Sequence, residues 1–175
     1  MASFIDRIIR AAKLDVHLYE EVKADKGAMS QAAGVVVLSS IAAGIGSIGK
    51  GGSMGILFGT ATALIGWFVW AYLIYLIGTK LLPEPETRSS PSELLRSIGF
   101  SSSPGMIRIM GIIPGLTGAV FLVSSVWMLV AMVIAVRQVL DYKSTLRAVE
   151  VCAVGWIIQI LALALVLAAL GVKTP

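Results

Sequence analysis

The sequence predicts an all-α membrane protein: a bundle of five transmembrane helices preceded by an amphipathic helix lying on the membrane surface. Three observations carry this expectation. Long apolar stretches recur: Ala28 to Ile48 and Ser53 to Thr79 are 21 and 27 residues without a charge, Val151 to Val172 carries none, and Met106 to Val136 carries only Arg108. About 20 apolar residues cross a hydrocarbon core of ~30 Å. The chain is 57% hydrophobic and 14% charged, with a mean hydropathy of +0.90, whereas a soluble domain is about half apolar and about a quarter charged. Finally, the charges lie between the apolar stretches and hardly within them.

At 175 residues the chain reads as one membrane domain, residues 28–172, behind a head of residues 1–27. The first apolar run begins only at Ala28, so the head is expected to remain on the mature protein. Ser3 caps the first helix, with Asp6 in its first turn, close to a capping box. Phe4, Ile5, Ile8, Ile9 and Ala12 then form an apolar stripe at helical spacing. Arg7, Arg10 and Lys13 take the polar side, the pattern of a basic helix in the headgroup plane. Gly27 marks a break before the first span.

The expected spans are about 28–48, 53–79, 104–113, 116–136 and 150–172. Gly49-Lys50-Gly51-Gly52 leaves room for only a tight turn between the first two. Trp67, Trp70, Tyr72 and Tyr75 gather late in the second span, as interfacial aromatics do. Lys80 to Ser103 is the one substantial loop, and within it Ser90 to Ile98 reads as a short helix with Pro91 in its first turn. Met106 to Val136 as one helix would reach ~46 Å, too long for a straight crossing. Pro114-Gly115 interrupts it, since proline removes a helix hydrogen bond and clashes with the preceding turn. The break gives a short third element and a full fourth span.

Charge supports five spans over four. With five, Arg7, Arg10, Lys13, Lys23, Lys26, Lys80, Arg88, Arg96, Arg108, Arg137, Lys143 and Arg147 share one side, against Lys50 and Lys173 on the other, a division of twelve to two. With four spans it falls to ten against four. An excess of Lys and Arg marks the cytoplasmic side, so the N-terminus is expected in the cytoplasm and the C-terminus outside. The net charge of +4 forms no groove or stripe for nucleic acid, and anionic headgroups are the expected partner.

Gly44 to Gly51 matches a phosphate-binding loop except at its last place, where Gly51 stands for the Ser or Thr that holds magnesium. An apolar helix also precedes it where a strand is needed, so no nucleotide site is expected. Gly51, Gly55, Gly59 and Ala63 recur every fourth residue and predict close helix packing, within the bundle or between copies in a homo-oligomer. Arg108, near the cytoplasmic boundary on this reading, is expected to snorkel to headgroups. Gln159 is the one strongly polar side chain deep in the last span. Arg137 with Asp141, and Arg147 with Glu150, are placed to pair along helix ends. The single cysteine, Cys152, excludes an intramolecular disulfide and reads as a small packing residue. The sole histidine, His17, has no second ligand nearby, and Ser124 and Ser125 have no base. No metal site, cofactor or enzymatic centre is therefore expected.

Several segments resemble one family. Tyr19-Glu20-Glu21-Val22-Lys23-Ala24-Asp25 before the first span and Gly99-Phe100-Ser101-Ser102-Ser103-Pro104 before the third are similar to the Yip family of five-span membrane proteins. So are Gly111-Ile112-Ile113-Pro114-Gly115, Ser125-Val126-Trp127 and Ala135-Val136-Arg137. The likeness covers roughly Leu18 to Leu170 and is nearest the short prokaryotic members, implying a prokaryotic cell membrane. In eukaryotes the resemblance implies binding of prenylated Rab GTPases in ER-to-Golgi traffic. The head here, 27 residues, is shorter than the long tail of those trafficking members. Together these features point to a non-enzymatic scaffold or adaptor that engages headgroups or a membrane or cytoplasmic protein through Arg7, Arg10, Lys13, Arg96 and Arg108. Gly111, Pro114 and Gly115 would join the small residues of the second span in helix packing. The alternative is a small permease or channel subunit in which Arg108 and Gln159 line a path.

Overall fold

The computed structural model describes residues 3–47 and 52–169, and among them every regular element is helical. The head consists of α1 (Phe4–Ala12) and α2 (Val16–Ala24), followed by α3 (Ala28–Gly46) and α4 (Gly52–Leu76). A π-helical turn, Ile77–Leu81, extends α4. Next come α5 (Pro91–Phe100), a 3-10 helix at Ser103–Ile112, α6 (Thr117–Val139) and α7 (Thr145–Ala169). The sequence signals act where expected. Ser3 Oγ accepts a hydrogen bond from the Asp6 amide at 3.1 Å, and Ser90 with Glu93 closes a full capping box on α5, with Pro91 in its first turn. Gly115 takes φ +85°, a left-handed turn open to glycine without strain, and it redirects the chain into α6. Residues 48–51, which include Lys50, Gly51 and the second half of the loop-like glycine motif, and Lys173 lie outside the described residues.

Four helices are long and apolar enough to cross a membrane: Ala28–Gly46, Gly52–Leu81, Thr117–Val139 and Thr145–Ala162. The expected third span, about 104–113, is the 10-residue 3-10 helix. A 3-10 helix rises ~2.0 Å per residue, more than an α-helix, so ten residues advance ~20 Å. This segment runs beside α3 and in the same direction. A Cβ on Gly99 would meet Ala32, one on Gly105 would strike Ser39 Oγ, and one on Gly111 would meet the Gly46 carbonyl. Gly99 belongs to the end of α5; within the 3-10 helix, Gly105 and Gly111 follow α3 from Ser39 to Gly46, ~10 Å. The end of α5 and the 3-10 helix together therefore run beside α3 over ~21 Å.

One end of the bundle, the head face, collects the head, the α4–α5 loop and the α6–α7 turn. Lys23 on α2 pairs with Asp141, just after α6, at 2.7 Å. The Tyr142 hydroxyl bonds to the carbonyl oxygens of Gly78 and Leu82 at 3.0 and 2.8 Å, joining the α6–α7 turn to the end of α4. Burial pushes the Tyr142 phenol up to about 12, which keeps it a neutral donor. Asp141 pairs with Lys23 and not, as expected, with Arg137. Arg137 instead bonds to Thr145 Oγ1 and the carbonyl oxygens of Tyr142 and Lys143. Arg147 and Glu150 do pair, at 2.9 Å.

The core lies in the half nearer the head face, where Leu18, Tyr19, Val22, Ile74, Leu94, Phe100, Val136 and Leu140 are fully buried. Trp67 and Trp70, expected at the interface, belong to this core. Trp67 donates its indole N–H to the Leu95 carbonyl at 2.9 Å, and Trp70 donates to Met132 Sδ at 3.1 Å. The helix turn that points them inward leaves Tyr72 exposed. Cys152 is buried, as its packing role requires.

Candidate functional site

Two groups of expected site residues meet different fates, beginning with the cations of the head. Arg7 is turned inward. Its guanidinium donates to Glu21 at 2.9 Å, Asp25 at 2.8 Å and Gln31 at 3.0 Å, and only 3% of the residue remains exposed. Burial alone would lower the Arg7 pKa, but hydrogen bonds to Asp25 and Glu21 outweigh it and leave it above its ordinary value. Arg10 donates to Asp15 at 2.7 Å and to Glu21 at 2.6 Å. Arg96 is buried under α2, donating to the Val22 carbonyl at 2.8 Å and to that of Lys23. Of the head and loop cations expected to face lipid or partner, Lys13 alone is exposed; Arg7 and Arg96 instead fasten the head to α3 and α5. For Arg7 and Arg10 the reason is the acidic group around α2, Asp15, Glu21 and Asp25, which offers a desolvated guanidinium more than water would. Arg96 instead meets the carbonyls in the last turn of α2, which have no partner within that helix. With Arg7 inward, Ile5 and Ile9 turn out of the molecule, 67% and 47% exposed.

The small residues also divide. Gly111 packs closely on Gly46, as a helix-packing glycine should. A Cβ on Gly55 or Gly59, by contrast, would meet nothing within 4 Å. The α3–α4 contact runs instead through Gly44 against Ile56 and through Ser40 with Thr60, whose hydroxyls are 3.1 Å apart. Gly59 and Ala63 face open volume and form one wall of a cavity. Gly115 acts through its backbone conformation, next to Pro114. Gly51 lies outside the described residues.

That cavity, about 690 Å³, lies between α3, α4, α6 and α7 and is lined by Arg108 and by the exposed Gln159. Arg108 is therefore not a boundary residue near the head face. Its carbonyl abuts Gly46, at the opposite end of α3, and its side chain reaches α6. There Nε donates to Ser124 Oγ at 2.8 Å and Nη2 to Ser125 Oγ at 2.9 Å. Both serine hydroxyls pass their own hydrogens to the Phe121 carbonyl, at 3.0 and 2.7 Å. The guanidinium also lies 5.3 Å from the centre of the Phe121 ring, a cation–π contact. A guanidinium has five N–H donors; two are used here, and three remain among the described residues. No carboxylate pairs with Arg108 among them, and none lines the cavity. Ser39, Ser101 and Ser102 add hydroxyl oxygens to its walls, while Trp67, Trp70 and Trp156 supply aromatic faces.

The sequence held one signal for this cluster. Ser124 lies fifteen residues before the head-face end of α6, and Gln159 fourteen residues after the head-face end of α7. Both are therefore ~21–23 Å from that face. Equal depth on antiparallel neighbours is visible without coordinates. The inward turn of Arg108 is not, because it depends on the 3-10 path.

An all-helical bundle with several helices able to cross a bilayer defines an integral membrane protein. The family model of the Yip1 domain matches residues 19–169, and the chain belongs to that family. The match includes the Tyr19–Asp25 segment, the 3-10 helix and the Arg108 cavity. No curated protein and no solved structure shows significant similarity to the chain.

Proposed function

We propose that this Yip-family protein is a non-enzymatic membrane scaffold that holds an anionic group inside its helix bundle at Arg108. The carrying observation is the guanidinium itself, in a cavity with three unspent N–H donors and no carboxylate partner among the described residues. A cation inside a membrane-spanning bundle is costly and marks function by default; an anion of the ligand would offset that cost. The chain would cross the membrane five times, the third time through the 3-10 helix, whose course beside α3 supports a crossing. The head face would be cytoplasmic, with α1 at the interface and Ile5 and Ile9 in contact with lipid. Exposed Lys13, Lys26, Lys80 and Arg88 would then meet anionic headgroups or a partner protein.

The test is thermal stability of the purified protein, titrated with inorganic phosphate and, separately, with phosphatidylglycerol in phosphatidylcholine nanodiscs. A ligand bound only by the folded state raises stability by mass action. Stabilisation by at least one of the two, lost in Arg108→Gln, is the expected result; no Arg108-dependent effect of either would refute the reading. The meeting of Gln159 with Arg108 in one cavity also favours passage of a solute. Arg108-dependent anion flux in proteoliposomes would replace a resident ligand by a transported one.

A further inference from the structure

A second cavity of about 540 Å³ lies between α6 and α7, and Leu129 and Trp156 line both it and the Arg108 cavity. Its other walls are apolar, among them Val130, Val133, Val149 and Ala153, with Thr145 at the head-face end. Along α7 it extends from Thr145 to Trp156, ~16 Å, and Gln159 and the polar cavity come within the next turn. A cationic chamber thus adjoins a greasy channel, with the half-exposed Trp156 between them. Neither half alone selects a ligand, but the pair matches a molecule with an anionic head and a long hydrocarbon tail.

We propose that the ligand is an anionic phospholipid, its phosphate on the free N–H groups of Arg108 and one acyl chain laid past Trp156 into the α6–α7 channel. This rests on the anion-binding reading above. The direction of the channel also assigns the leaflet. Arg108 draws the head to the level of Ser124, about 10 Å from the α6 end remote from the head face. The channel leads from there toward the head face. A lipid of the remote leaflet has its tail pointing that way; a lipid of the head-face leaflet would have to invert. The wide Gly59 and Ala63 wall leaves room for the head, and the forked guanidinium fits two phosphate oxygens at once.

The experiment uses the full chain in phosphatidylcholine nanodiscs containing phosphatidylglycerol with brominated acyl chains, which quench tryptophan on contact. Comparison of wild type with Trp156→Phe isolates the Trp156 signal from those of Trp67, Trp70 and Trp127. The expected result is saturable quenching of Trp156 by brominated phosphatidylglycerol, at a concentration at least about tenfold lower than for brominated phosphatidylcholine, a preference lost in Arg108→Gln. Val149→Phe, which fills the channel from an exposed position without adding a tryptophan, should abolish the quenching and leave any response to inorganic phosphate unchanged. Equal quenching by both lipids, or none, overturns the lipid assignment. If phosphate still stabilises the protein through Arg108, the anion site survives that failure; if no anion acts through Arg108, both readings fall.

Discussion

Glycines that look alike in the sequence are separated by what a single methyl group would meet. Gly46 lies under the carbonyl of Arg108, and an added Cβ would strike a backbone atom that cannot move without the whole 3-10 helix. Gly46→Ala should therefore cost about 1–3 kcal/mol, the usual range for overpacking, and should loosen Arg108 with it. Gly55→Ala meets open space, and the gain in helix propensity of up to ~1 kcal/mol makes it neutral or stabilising. Thermal denaturation of the two variants in the same detergent checks the contrast, and equal destabilisation would contradict the packing described. The periodicity of Gly51, Gly55, Gly59 and Ala63 predicted close packing at Gly55, where an added Cβ meets nothing. Spacing identifies a smooth helix face, but not whether a neighbour or a cavity lies against it.

The head is docked by buried apolar side chains, Leu18, Tyr19 and Val22 among them, and by a set of ion pairs, and the ion pairs make its docking pH-dependent. Hydrogen bonds from Arg10 hold the Asp15 and Glu21 carboxyls below their ordinary values, and one from Arg7 does the same for Asp25. Such groups bind protons less readily in the docked head than in a released one. Their contribution is thus fully present above the free carboxylate range near pH 4 and is lost as pH falls through the lower docked values. The Trp127 indole donates to the Ala12 carbonyl at 2.8 Å and reports the undocking. Its emission should shift, and amides of residues 4–24 should exchange faster, as pH drops below about 4. Arg7→Gln should produce the same exchange at neutral pH, losing ~1.5–3 kcal/mol for hydrogen bonds between charged groups. Protection of α1 and α2 that is indifferent both to acid and to Arg7→Gln would mean that packing of Phe4 and Leu18 holds the head by itself. The amphipathic stripe of α1 was legible in the sequence. Which side faces inward was not, because Arg7 finds its partners 14 to 24 residues away.

At the scale of the molecule, apolar run length and charge placement were enough to read four long helices to within a few residues at most ends. They could not specify the third element. A ten-residue segment is too short for an α-helical crossing, and the structure lays the end of α5 and a 3-10 helix together along the small residues of α3. The charge asymmetry changes little when Arg108 moves from the boundary into the bundle, since the remaining division is eleven against two. That division, with the course of the end of α5 and the 3-10 helix beside α3, predicts opposite sides for two accessible positions. In a Cys152→Ala background, Ser89→Cys in the α4–α5 loop should react with an impermeant maleimide only from the cytoplasmic side of inverted vesicles. Leu116→Cys, at the turn beyond the 3-10 helix, should react only from the outer face of intact cells. A 3-10 helix that dips in and returns would instead place Leu116 with Ser89, and the two cysteines would label from one side. The lipid assignment needs Arg108 near the leaflet remote from the head face, so labelling of Leu116 from the outer face supports that leaflet, and labelling from the cytoplasmic side removes it together with the five-span topology.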